Sequence, residues 1–173
     1  MSFIIEKQLS QCYRNDVWQI LCDADTEFIP PLSSRHYTTQ KLFLREEVAT
    51  QEPIEYFEKM IQQEFILAVE NGCVVGFLTY IPDYSLQVDD KMILCDYVST
   101  IVVSKNHRNK GITRKMYQTL FSHRGARNFV TRTWSVNFTH LHLLETMEFQ
   151  LIAQIKNDRG QSIDSVYYLK KSA

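Results

Sequence analysis

The sequence predicts a single α/β domain spanning residues 1–173, with helices layered on a mixed β-sheet. Three observations predict it. β-branched and apolar runs alternate with helix-period segments in the order strand, two helices, three strands, helix, strand, helix, two strands. Asn71-Gly72 lies between two apolar runs and marks a tight antiparallel hairpin, which excludes a purely parallel doubly wound sheet. The chain has 173 residues, 45% hydrophobic and 23% charged, which fits one domain with a sizeable core.

Each element has a local reason. Phe3 to Lys7 is a short strand candidate. Ser10 stands as N-cap before Cys12, Val17, Ile20 and Leu21, whose spacing predicts an amphipathic helix over about 10–22. Pro30 and Pro31 break regular structure across 28–34. A second helix follows Pro53, with Ile54, Phe57 and Ile61 at helical spacing. Strands are expected at 65–70 and 74–80, then a long β-branched run at 94–103. A helix over 111–122 presents Ile112, Met116 and Leu120 on one face. Next come a strand at 128–134 and a helix at 137–147 with Phe138, Leu141 and Leu144 aligned. Strands at 149–155 and 165–169 close the domain.

Composition excludes several classes. Five glycines and four prolines argue against disordered or low-complexity chains. The N-terminal residues show no basic n-region followed by a long apolar stretch, and no apolar run approaches membrane-spanning length, so a cytoplasmic protein with no membrane partner is expected. Cys12, Cys22, Cys73 and Cys95 are scattered without a CxxC pair; they are expected to be buried or partly buried thiols, with no metal site.

The net charge of −1 hides an uneven distribution. Residues 97–144 contain no Asp or Glu but carry Lys105, Arg108, Lys110, Arg114, Lys115, Arg124, Arg127 and Arg132. A field of one sign attracts a polyanion. The window lacks the interleaved aromatics of single-strand binders, and the sequence pI is near 6.5, so nucleic acid is not an expected partner.

Within this window a buried strand runs into a basic turn and then a helix, from Ile101 to Met116. A helix start exposes amide N–H groups without internal partners, and the aligned peptide dipoles make it partly positive. Together these form an anion site. Gly111 would let a phosphate reach the main chain without a Cβ in the way.

Arg108-Asn109-Lys110-Gly111-Ile112-Thr113 resembles the Q/R-x-x-G-x-G/A signature of the Gcn5-related N-acetyltransferase (GNAT) superfamily, which grips the pyrophosphate of coenzyme A. The last position is Thr113 rather than Gly or Ala, and its hydroxyl is expected to donate to the phosphates. Residues 137–149 are similar to the family's N-x-x-A-x-x-L-Y-x-x-x-G-F pattern: Asn137, Leu143 and Phe149 match, while His140, Leu144 and Glu148 depart. Glu70 to Phe77 resembles the family's acidic-x-G-x-x-V-G-F hairpin.

The resemblance implies the GNAT fold, a mixed sheet of six to seven strands with helices on both faces. It also implies acetyl-CoA as co-substrate, no metal, and a small-molecule or peptide amine as acceptor, in a monomer or homodimer. The acyl-pantetheine arm would lie between strands ending at Val103 and Trp134, on the main chain of Ile101, Val102 and Val103. Its phosphates would meet Arg108, Asn109, Lys110, Gly111, Ile112 and Thr113, with Asn137 nearby. The family's spacing places the general base at Tyr97 or beside it at Asp96; alternation lets only one of them face substrate. The family's acid tyrosine is Leu144 here, which cannot donate a proton; Ser135, Tyr84 and His140 are candidate replacements. Cys95 is read as core, having no base partner.

Asp23, Asp25, Glu27, Glu46 and Glu47, with Phe28, Tyr37 and Phe43, would form an acidic, aromatic acceptor wall suited to a cationic amine. The alternative to an enzyme is an acyl-CoA-binding regulatory protein of the same fold, favoured by Leu144.

Overall fold

The computed structural model describes residues 1–40, 42–43 and 52–173. Its elements are β1 (Ser2–Glu6), α1 (Gln11–Ala24), α2 (Ile54–Met60), β2 (Glu64–Glu70), β3 (Cys73–Val88), β4 (Lys91–Val103), α3 (Ile112–Arg124), β5 (Phe129–Trp134), α4 (Phe138–Thr146), β6 (Gln150–Gly160) and β7 (Ile163–Lys170). Short 3-10 turns occupy Asp25–Glu27, Leu32–Ser34 and Lys105–His107. The element order and the mixed sheet are as the sequence predicts.

All seven strands form one sheet in the order β1-β2-β3-β4-β5-β7-β6. Every pairing is antiparallel except β4 with β5. Alternation along β2 divides the core in two. Phe65 and Leu67 pack with Val17, Leu21, Tyr56 and Met60 on the α1/α2 face. Ile66 and Ala68 pack with Met116, Leu120 and Leu144 on the α3/α4 face. The Asn71-Gly72 turn has φ of 52° and 80°, the left-handed pair that a two-residue hairpin requires.

Several local expectations are corrected. Ser10 does not cap α1; its N–H and hydroxyl both donate to Glu6 (2.6 and 2.8 Å). The buried face of α2 is Tyr56 and Met60, and Ile54 is exposed. In α4, Leu144 is buried but Phe138 is 71% exposed. Cys12 and Cys73 are exposed, so two of the four thiols are not core residues. The β3–β4 and β6–β7 hairpins extend well beyond the apolar runs that announce them.

The sheet is built to open in the middle. β4 and β5 pair only from Asp96–Val98 to Phe129–Thr131. Beyond that, β4 runs on to Val103 and β5 to Trp134 without pairing to each other. A bulge helps drive the strands apart. Tyr80 opposes Val98 and Thr79 opposes Thr100, so Ser99 has no partner on β3, and an unpaired residue bends its strand.

Candidate active site

The opening between β4 and β5 leads into a cleft of about 540 Å³. Its walls include Ser99 to Val103 from β4, Thr131 to Trp134 from β5, the turn around Arg108–Thr113, and Asn137, His140, His142 and Leu143 from α4 and its start. Arg35 and Arg159 also line it.

Ser104 N–H donates to Val75 O across β3 (2.9 Å), so by antiparallel alternation the main-chain groups of Ile101 and Val103 turn toward the gap. The side chain of Val102 points to the α1/α2 core, while Val103 and Ile101 pack on the α3/α4 side. β4 therefore presents to the cleft a strand edge that β5 leaves unpaired, with Val103 O engaged by Arg108 Nε.

That edge ends at the predicted anion turn. Gly111 has φ 71° and ψ 15°, the left-handed conformation that favours glycine, and stands as N-cap of α3 with no side-chain cap. Space for a Cβ at Gly111 is open, with no atom within 4 Å. Asn109 is also left-handed, with φ 62°. The first amides of α3 have no carbonyl within the helix, and Gly111, Ile112, Thr113 and Arg114 all line the cleft. Thr113 faces the cleft, although no hydrogen bond occupies its hydroxyl among the described residues.

The basic side chains are not all gathered at this turn. Arg108 Nε donates to Val103 O (3.0 Å) and its Nη2 to Glu27 (2.8 Å), and Lys105 lies 3.5 Å from Glu27. Arg108 thus braces the end of β4 against the segment after α1. Arg124 pairs with Asp96, Arg127 with Asp83, and Arg114 bonds Thr146. The acids absent from the window in sequence are supplied from elsewhere in space. Lys110 and Lys115 remain without an ion-pair partner among the described residues.

The three residues proposed from sequence for chemistry are not brought together. Asp96 has no exposed surface, receives Arg124 Nε (2.6 Å) and Nη2 (3.2 Å), and accepts the Asp83 N–H (3.0 Å). It does not line the cleft. Tyr97 is buried against Tyr84 (5.1 Å between centroids), and burial pushes its pKa to about 12. Ser135 Oγ accepts the Asp164 N–H (2.9 Å), tying β5's end to β7. Tyr97 and Cys95 belong to a third, smaller cluster with Leu86, Val130, Tyr167 and Leu169, against which Tyr84 packs, and burial raises the Cys95 thiol to about 12.

His140 does line the cleft. Its Nε2 meets Tyr117 Oη at 3.2 Å, and burial lowers its pKa to about 4, so it is neutral at pH 7. Leu144 is fully buried in the core. Asn137 opens α4, lines the cleft and donates Nδ2 to Thr133 Oγ1 (3.0 Å).

Sequence reasoning missed a hydroxyl network on the cleft floor. Ser99 Oγ donates to Gln63 Oε1 (2.6 Å) and lies 2.8 Å from Thr79 Oγ1 and 3.3 Å from Thr100 Oγ1. Thr100 Oγ1 in turn meets Tyr56 Oη at 2.6 Å. The bulge at Ser99 creates this cluster, and no local pattern in the sequence announces a bulge.

The expected acidic wall also differs. Asp25 is buried and its carboxylate accepts Ser33 N–H and Oγ–H (2.6 and 2.7 Å). Glu27 lines the cleft but is neutralised by Arg108 and Lys105. Asp23 does not line the cleft, and Glu46 and Glu47 lie outside the described residues.

Comparison with known proteins agrees with this geometry. The model of the Acetyltransferase (GNAT) family matches residues 26–149. Among solved structures, N-acetyltransferase from Staphylococcus aureus Mu50 is 19% identical over 99% of both chains, with a TM-score of 0.64. Aminoglycoside 6′-acetyltransferase type Ii is 15% identical over 99% of this chain and 97% of its own, with a TM-score of 0.70. The yncA protein from Salmonella typhimurium, solved with its cofactor acetyl-CoA, is 16% identical over 99% of this chain and 94% of its own, with a TM-score of 0.63. At these identities the likeness establishes the fold. No curated protein matches the chain by sequence.

Proposed function

The chain belongs to the GNAT family of acetyltransferases, and from that premise we propose that it transfers an acetyl group from acetyl-CoA to a primary amine by direct attack. The observation that carries this reading is the continuity of the cleft. The unpaired edge of β4 beyond Val98 runs directly into the open amides at Gly111. A pantetheine arm can hydrogen-bond along that edge as an added strand, with its diphosphate on the start of α3. The acetyl-CoA-bound structure among the similar folds supports that choice of donor.

In the reaction, the neutral amine attacks the thioester carbonyl, the C–N bond forms and the C–S bond breaks. The proton released by nitrogen ends on the CoA thiol sulfur. A main-chain N–H at the gap stabilises the developing oxyanion; one such donor contributes about 2.7–4 kcal/mol. Asp96 is held by Arg124 away from the cleft, so the amine's proton leaves through water at the Ser99 and Thr100 hydroxyls. No tyrosine stands at position 144, and a thiolate is a competent leaving group without one.

The test is a thermal shift with acetyl-CoA. Acetyl-CoA raises the Tm of the wild type, and Gly111→Asp abolishes the rise, because a carboxylate then occupies the phosphate position. An undiminished rise in Gly111→Asp overturns the site. The acyl-CoA-binding regulatory reading rests on the buried Leu144; a chain that binds acetyl-CoA but releases no thiol across a broad amine panel would decide for it.

A further inference from the structure

The wall of the cleft opposite α3 is cationic and aromatic. Arg35 and Arg159 are each only 7% exposed, yet both line the cleft. Arg132 from β5 joins them there. The three guanidinium carbons lie 4.9, 4.8 and 5.0 Å from the centre of the Phe43 ring for Arg35, Arg159 and Arg132 respectively. Arg35 also stacks near Phe28, and Arg159 near Trp134, each at 5.7 Å.

What Arg35 and Arg159 hydrogen-bond is neutral. Arg35 donates Nε and Nη2 to Pro30 O (3.1 and 2.8 Å). Arg159 donates Nη1 to Ile29 O (2.8 Å) and Nε to Ser165 Oγ (2.9 Å). Among the described residues neither has a carboxylate within ion-pair distance. Asp25 is committed to Ser33, and Asp158 to Ser165 Oγ and the Phe43 N–H. Asp25 and Asp158 act on these arginines only from beyond ion-pair distance, so the two buried cations are incompletely balanced, and a bound anion lowers that cost. Burial, with Arg35 and Arg132 close by, lowers the Arg159 pKa to about 8, and burial lowers Arg35 to about 10.

The cluster stands apart from the diphosphate seat. Thr131 bonds back to Val98 O (3.1 Å), and Phe129 packs in the α3/α4 core, so alternation sends Arg132 to the opposite face with Val130. The cofactor's phosphates are assigned to α3's start, and the arginines lie across the sheet opening from it, where an acceptor would enter.

We propose that the accepted amine also carries an anionic group, a carboxylate or a phosphate, bound by Arg35 and Arg159 with Arg132 beside them. This rests on the acetyl-transfer reading above. Planar guanidinium forks suit both anions, and stacking on Phe43 and Trp134 holds them in place before the ligand arrives. The inference reverses the cationic acceptor expected from the acidic sequence around residues 23–47.

The test uses wild-type protein and matched amines. Thiol release from acetyl-CoA is measured with the proteinogenic amino acids against their carboxamides, phosphoethanolamine against ethanolamine, and spermidine and an aminoglycoside. Thermal shifts of CoA-saturated protein are measured with the same compounds. Anion-bearing members should be preferred over their neutral partners, and the two matched series separate carboxylate from phosphate. Arg159→Met should lower kcat/KM for the preferred acceptor about ten- to hundredfold, as expected for losing a charged hydrogen bond, with Arg159→Lys intermediate. Arg159 also holds Ile29, so the wild-type amine series is decisive if the variant fails to fold. Preference for carboxamides, spermidine or the aminoglycoside overturns the proposal, as does the absence of any shift by an anionic amine in CoA-saturated protein. A wild type that acetyl-CoA itself does not stabilise defeats the acetyl-transfer reading instead.

Discussion

Asp96 shows how a single residue's role is set by a partner remote in sequence. It stands beside the position where the family's spacing puts a base, but Arg124, 28 residues on, holds both its oxygens. Removing one member of a buried pair leaves the other charge uncompensated and costs about 3–5 kcal/mol. Asp96→Ala is therefore expected to lower the urea midpoint sharply, with any activity loss tracking the lost fold. A stable but inactive Asp96→Asn would instead make it catalytic. His140 gives a pH prediction at the same scale. Burial lowers its pKa from 6.5 to about 4, so the unfolded chain binds this proton first as pH falls. Stability from this site is present above pH 6.5 and is lost between 6.5 and 4. His140→Phe should flatten that limb in denaturation curves taken across the range. Gly111 was legible in sequence because its role is a backbone one, fixed by its neighbours. The duties of Asp96, Tyr97 and Ser135 depend on contacts that no spacing reveals.

At the scale of elements, α3 joins the core to the anion turn. Met116 and Leu120 are fully buried against the sheet, while its first amides face the cleft. Leu120→Ala should cost about 2–5 kcal/mol of stability by urea unfolding. Because the helix start is the phosphate seat, the same change should also weaken the acetyl-CoA thermal shift. The element order was readable since helix and strand periods differ strongly along this chain. Helix faces were less so. Ile54 and Phe138 fit a helical stripe yet face solvent, because α2 and α4 are short and their orientation is set by the neighbours they pack on. Strand ends were also obscured: β6 continues through the polar stretch 156–160, where the register with β7 breaks after Ile155 and resumes only at Gly160, and side-chain bonds such as Asn157 N–H to Asp164 hold the chain instead.

For the molecule as a whole, folding and ligand binding are linked. Acetyl-CoA at about 100 times its Kd should stabilise the folded chain by about 2.7 kcal/mol, read as a concentration-dependent rise in Tm. Part of that binding is charge attraction to a diphosphate, so the rise should shrink as salt is raised from low to physiological ionic strength. A salt-independent shift would place the ligand away from the basic turn. By itself the sequence determined the order of elements, the mixed sheet and the glycine turn that opens α3, because each follows from periodicity and backbone freedom within a few residues. Only the tertiary structure decided where β4 and β5 part, which acids neutralise the basic window, and that Arg35, Arg132 and Arg159 meet around Phe43. Those features join residues scattered along the chain, and their energies arise from burial and proximity that exist only once the sheet has formed.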